Sequence, residues 1–195
     1  MEPFTVHTGR AVPLRRSDVD TDQIIPSDWL KRVERTGFAA GLFSEWRRQP
    51  GFVLDRPEHA GATILVAGVN FGTGSSREHA VWSLQDHGFR AVISERFADI
   101  FRGNAHNGGL LAVELAAADV EDLTAAVEAD PSIEVTVDLV AREIRYGGRV
   151  VAFELDGYTR DRLLAGLDNI ALTLQHGGEI TQYERARPPW LPTAS

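Results

Sequence analysis

The chain has 195 residues, 43% apolar and 25% charged, with 20 basic against 28 acidic side chains and a formal net charge of −8. Length and balance describe one globular domain, two at most, and exclude a disordered, collagen-like or coiled-coil chain. Dispersed arginines on an acidic protein exclude a nucleic-acid binder; no run of 18 apolar residues spans a membrane, and Met1-Glu2-Pro3-Phe4 is not a basic-then-apolar leader, so a cytoplasmic protein is expected.

Residues 4–14 alternate loosely around Thr8-Gly9 and predict two strands about a turn. Residues 17–38 lack a clean period and predict a long loop with a short helix. The apolar run Thr63 to Val69 predicts a buried strand, followed by the glycine-rich stretch Asn70 to Gly74. A helix is expected from Arg77 to His87, with Ala80, Val81 and Leu84 on one face and Gly88 as its stop. Ala91-Val92-Ile93 is a second strand, Arg96 to Arg102 a short helix, and Leu110 to Leu115 a third strand. Strand–helix–strand–helix–strand is an α/β core with parallel pairs.

Asp119 reads as the N-cap of a helix running to about Ala129 and stopped by Pro131. Segments 133–139, 143–146 and 150–155 alternate apolar and polar residues around the turn Gly147-Gly148, predicting antiparallel strands with one wet face. Helices are expected over Arg160 to Leu167 and Ile170 to Gln175. The three prolines of Arg185 to Pro192 predict an irregular tail.

The strongest candidate for chemistry is Asn70 to Ala80, where a strand feeds a glycine loop that opens a helix. Unpaired N–H groups and the helix dipole favour an anion there. Ser75 and Ser76 add hydroxyls, and Arg77 adds a planar fork suited to a carboxylate or phosphate. The loop is no Walker loop, having Ser75 where a lysine is needed, and no dinucleotide fingerprint, having Arg77 in place of the third glycine. The plainer alternative is that a serine caps the helix and Arg77 is a surface residue.

Two further stretches carry polar groups. Asp18 to Pro26 concentrates carboxylates but lacks the later glutamate of a calcium loop. Asn104 to Gly109 places His106 among polar residues ahead of a strand, and there is no His-Glu-x-x-His for a zinc protease. With no cysteine, the chain has no disulfide, no thiolate nucleophile and no cysteine-held iron–sulfur cluster of its own.

Gly72-Thr73-Gly74-Ser75-Ser76-Arg77-Glu78-His79-Ala80 resembles the signature of the mobile swivel domain of the aconitase superfamily. Within it, Asp20 to Pro26, Leu30 to Phe38, Ile100 to Asn104 and Gly166 to Leu174 are similar to blocks of the isopropylmalate dehydratase small-subunit family. The resemblance covers residues 1–185 as one swivel domain and leaves 186–195 as the tail. It implies an α/β fold, a single three-layer β/β/α swivelling domain with a mixed sheet. It also implies a large-subunit partner that holds a [4Fe–4S] cluster by three cysteines, this chain holding no cofactor, and a small hydroxy-dicarboxylate as substrate. The implied reaction isomerises 2-isopropylmalate to 3-isopropylmalate by dehydration and rehydration in leucine biosynthesis.

By the same resemblance Ser75 is the catalytic base, and Ser76, Arg77 and Asp22 bind substrate. The stretch 30–38 lies over the substrate's variable group, which brings in Arg32 and Val33; with few apolar neighbours it is expected to order only with the partner. Related hydroxy acids (homoaconitate, citraconate or dimethylmalate) and a non-catalytic anion-binding module are the alternatives.

Overall fold

The computed structural model describes residues 1–31, 36–188 and Trp190. Seven strands form one mixed sheet in the order β4-β3-β2-β1-β5-β6-β7. They are β1 Val6–Leu14, β2 Ile64–Ala67, β3 Ala91–Ser94, β4 Leu111–Glu114, β5 Glu134–Asp138, β6 Glu143–Tyr146 and β7 Arg149–Ala152. Strands β1 to β4 pair in parallel, and β5 to β7 continue antiparallel. The expected α/β mixed sheet is what the chain forms.

Every residue of β2 and of β3 is buried. Alternate side chains enter two different cores, Leu65, Ala67 and Val92 one, and Ile64, Val66, Ala91 and Ile93 the other. A parallel strand covered on both faces must read as a continuous apolar run, which is why its sequence shows no alternation. The first core is closed by helices α1 (Thr21–Ile24), α2 (Ser44–Arg47), α3 (Glu78–His87) and α4 (Asp99–Gly108). The second is closed by Val135, Val137, Ile144 and Val151 of the antiparallel half, with α5 (Ala117–Ala129) and α6 (Gly157–Ala165). The two halves of the sheet thus meet in the second core, and the mixed α/β sheet has helices packed against both cores.

Several local expectations are corrected. Residues 6–14 are one strand, not two, and Gly9 lies inside it opposite Val135. A Cβ at Gly9 would stand 2.1 Å from Thr63 Oγ1, so close approach and not a turn requires glycine. The helix after β3 begins at Asp99, because Arg96 to Ala98 is spent on the loop of Phe71: Phe71 N donates to the Arg96 carbonyl and Ala98 N to the Phe71 carbonyl. Asn104 to Gly108 is therefore helix and not loop, and Gly109, in the left-handed region, ends it. Helix α5 starts at Ala117, with Asp119 in its first turn and not at its cap. After α7 (Asn169–Gln175) an eighth helix, α8 (Gly177–Ala186), occupies the approach to the tail. The Gly147-Gly148 hairpin is as expected, both glycines having positive φ between Tyr146 and Arg149.

Candidate functional site

Three loops leave the carboxyl ends of β1, β2 and β3, the edge of a parallel sheet where ligands of open α/β folds bind. Main-chain bonds tie them together. Asp18 N donates to the Val69 carbonyl (2.8 Å), Gly72 N and Thr73 N to the Val19 carbonyl (2.7 and 3.0 Å), and Thr21 N to the Thr73 carbonyl (2.9 Å). Asn70 Nδ2 donates to Asp18 Oδ1 (2.8 Å), and both residues hold left-handed backbones. Such strained positions persist where the surroundings over-determine them.

The three carboxylates of the acidic stretch divide the work. Asp18 binds Asn70 as above. Asp20 caps α1 reciprocally: its Oδ1 accepts from Gln23 N (2.8 Å), and Gln23 Oε1 accepts from Asp20 N (2.9 Å). Asp22 Oδ1 takes a hydrogen bond from Arg77 Nη1. The Arg77 side chain is 18% exposed and Asp22 57%, so the pair sits at the rim with the guanidinium drawn inward.

Ser75 and Ser76 are exposed on the glycine loop. Neither caps the helix: α3 begins at Glu78, its N-cap is Arg77, and no side chain accepts a bond at that cap. The capping reading is corrected accordingly. The loop is anchored from below. Buried Thr21 donates its Oγ1 to the Ser75 carbonyl (3.0 Å), and Asn104 Nδ2 of α4 reaches Ser76 Oγ (3.5 Å). At Gly72, with φ +83°, a Cβ would meet Phe101 at 2.2 Å, so glycine is required twice over. Among the described residues the Ser75 hydroxyl has no hydrogen-bond partner, which leaves it presented to whatever covers the loop.

Sequence reasoning brought Ser75, Ser76, Arg77 and Asp22 to one place, and they are together. Arg32 and Val33 lie outside the described residues. Phe38 is fully buried, with its amide donating to Asp86 Oδ2 (2.8 Å) and its ring edge-on to His79 at 5.3 Å, so that end of the 30–38 stretch is anchored within the chain. Thr21 and Asn104 were missed as supports; a hydroxyl aimed at a carbonyl 54 residues away leaves no local pattern.

His106 is a core residue and not a ligand. Its Nε2 donates to the Ala112 carbonyl (3.1 Å), and burial lowers its pKa from the usual imidazole value. Among the described residues no three His, Cys, Asp or Glu side chains are grouped to hold a metal. No helix among them is long and apolar enough to cross a membrane. Clefts of about 540 Å³ beside Arg16 and Phe52, and of about 630 Å³ beside Arg102 and Asp156, exclude Ser75 and Arg77. The serine loop thus lies outside both clefts, with Ser75 and Ser76 exposed.

Comparison with known proteins agrees with this topology. Residues 1–118 match the model of the aconitase C-terminal domain, residues 121–157 that described as LeuD_N, and residues 169–194 that of the C-terminal domain of the 3-isopropylmalate dehydratase small subunit. The chain is 71% identical over 195 residues, the whole of both chains, to the 3-isopropylmalate dehydratase small subunit of Parafrankia sp. (strain EAN1pec). It is 62% identical over 192 residues, 98% of each chain, to that of Streptomyces avermitilis. The crystal structure of 3-isopropylmalate dehydratase (leuD) from Methanocaldococcus jannaschii superposes with a TM-score of 0.68 at 29% identity, covering 92% of this chain and 99% of that one.

Proposed function

The chain belongs to the 3-isopropylmalate dehydratase small-subunit family, and on that premise we propose that its serine loop is one half of a hydro-lyase active site in leucine biosynthesis. The reaction isomerises 2-isopropylmalate to 3-isopropylmalate by removing and returning water. Ser75 Oγ takes a proton from the carbon adjacent to the hydroxyl-bearing one as the hydroxyl departs in water, for which the partner's cluster would supply the Lewis acid; on re-addition the hydroxyl goes to the carbon that lost the proton and the proton to the carbon that lost the hydroxyl. A serine does this only where its alkoxide is stabilised. The free amides at the start of α3 and the Arg77 cation provide that field, and it strengthens once water is excluded.

Arg77, oriented by Asp22, clamps a substrate carboxylate through its planar fork, and Ser76, held toward Asn104, hydrogen-bonds the same substrate. Val33 takes the side-group end, and Arg32 beside it in the 30–38 stretch takes part in substrate binding. The chain has no cysteine and no metal-ligand grouping among its described residues, so its residues do not fit a [4Fe–4S] cluster. The cluster is assigned to the large-subunit partner, which also supplies the opposite wall.

The reading stands on the meeting of Ser75 with the Arg77–Asp22 pair on a loop that caps nothing and faces outward. Its test is co-expression with the large subunit from the same genome and an anaerobic assay with 2-isopropylmalate. Ser75→Ala is expected to keep fold and assembly and to lose turnover by about 10²-fold or more. Near-normal turnover of an assembled Ser75→Ala complex overturns the base role. Faster turnover of homoaconitate, citraconate or dimethylmalate than of 2-isopropylmalate overturns the substrate.

A further inference from the structure

Helices α7 and α8 bury none of their residues. Helices of 7 and 10 residues are below the length at which an isolated helix is stable in water, so tertiary contact must hold them. Yet their apolar side chains face outward. Ile170 is 71% exposed and Leu174, four residues on and on the same face, 69%; on α8 Tyr183 is 67% exposed beside Ile180. Single exposed apolar residues need no explanation, but such residues repeated on two adjoining helices leave apolar surface for a cover.

The hairpin is gripped at its first residue. Arg162 of α6, itself buried, donates Nη1 to Asn169 Oδ1 (3.0 Å) and Nη2 to Asn107 Oδ1 (2.6 Å) of α4. Asn107 and Asn104 lie three residues apart on one face of α4, and Asn104 reaches Ser76 Oγ (3.5 Å). Through Arg162, the first residue of the hairpin is therefore tied to the same helix face that reaches the serine loop. One matched family module begins at the first residue of this hairpin: residues 169–194 match a module named for the small subunit, whereas residues 1–118 match a domain named as the C-terminal part of aconitase. A domain that ends a longer chain is tethered covalently; a free subunit must replace that tether with contact.

We infer that the apolar face of α7 and α8, centred on Ile170 and Leu174, is a docking surface for the large subunit, continuous with the open wall of the active site. The inference rests on the proposed function, since the same partner closes both. A second copy of this chain is the competing occupant. It is disfavoured because a self-complementary contact at the α4 end would stand beside the serine loop that the large subunit must reach.

The test uses the full chain co-expressed with the large subunit, in wild-type form, as Ile170→Glu/Leu174→Glu, and as Val150→Glu. Val150 is an exposed apolar residue on β7, the far edge of the sheet, and serves as the control. The double variant is expected to fold as wild type by circular dichroism and melting, and to bind the large subunit at least tenfold more weakly. Val150→Glu is expected to bind as wild type. Amide exchange across residues 169–186 should slow in the wild-type complex. Undiminished binding by the double variant, with wild-type complex active, overturns the docking surface and leaves the function standing. A wild-type pair that neither assembles nor turns over 2-isopropylmalate overturns the function itself. A concentration-dependent dimer of the free chain, abolished by the double variant while complex assembly is unchanged, assigns the face to a second copy and overturns the inference.

Discussion

At the scale of single residues, Arg77 and the loop glycines make opposite kinds of demand. Arg77 offers chemistry that a point charge does not copy: one Nη bonds Asp22, and the plane of the fork fixes the direction of the rest. Arg77→Lys should therefore lower kcat/KM nearly as much as Arg77→Ala, within about tenfold, and steady-state kinetics of the assembled enzyme would show it. Full activity of the lysine variant would reduce Arg77 to a diffuse positive potential. Gly72 and Gly74 both have positive φ, but only Gly72 also lacks room. The Phe101 ring that blocks it is itself fixed edge-on to Phe71 at 5.2 Å and stacked near Phe97 at 6.0 Å. Gly72→Ala is expected to cost about 2–4 kcal/mol, backbone strain plus overpacking. Gly74→Ala, with nothing nearer than 3.5 Å, should cost about 1–2 kcal/mol. Denaturant midpoints of the two variants test the difference; equal losses would mean that Phe101 yields.

Among elements, four buried or half-buried histidines set the response to acid. Desolvation is the main cause that lowers the pKa of His106 on α4, of His87 at the end of α3, and of His7 and His59. A histidine with a folded pKa below its unfolded value stabilises the fold above about pH 6.5, and that contribution is lost as pH falls. The carboxylates held down by Arg15, Glu121 and Glu128, add their loss only below their ordinary value of 4.5. The melting temperature should therefore fall between pH 7 and pH 5, and less steeply in His106→Gln, whose amide still has an N–H for the Ala112 carbonyl. Parallel slopes for the two proteins would show that His106 protonates in the fold without penalty. The role of His106 was not legible beforehand, for the same reason that α4 was misplaced. Asn104, Asn107 and two glycines are poor helix formers and read as loop, while the acceptor that recruits His106 lies on the next strand. Elements whose signal is local, such as the apolar runs of β2 and β3 and the Gly147-Gly148 turn, were read correctly. Gly9 misled because its reason is Thr63, just ahead of a neighbouring strand and far away in sequence. The glycine–serine–arginine loop was legible because its chemistry is contiguous; its supports, Thr21 and Asn104, come from other elements and were not.

For the whole molecule, the proposed half-site raises the question why a chain with two complete cores would do nothing alone. Both faces of the parallel strands are covered, and the β5–β7 half closes the second core from within the same chain. Nothing in that packing waits for a partner, so the isolated chain should fold and unfold cooperatively. The site is built differently. Ser75 lies on the surface, where water competes for its hydroxyl and screens Arg77, so the field that would hold an alkoxide is weak. On the proposed function, fold and function are thereby separated: stability belongs to this chain, catalysis to an interface with its partner. The purified chain should therefore show a single melting transition and no turnover of 2-isopropylmalate, with activity appearing only on addition of the large subunit and saturating at a fixed ratio of the two. Titrating the partner into a constant concentration of this chain under anaerobic conditions measures that ratio. Turnover by the chain alone, prepared free of metal and partner, would show that the serine loop suffices without its opposite wall and would overturn the half-site.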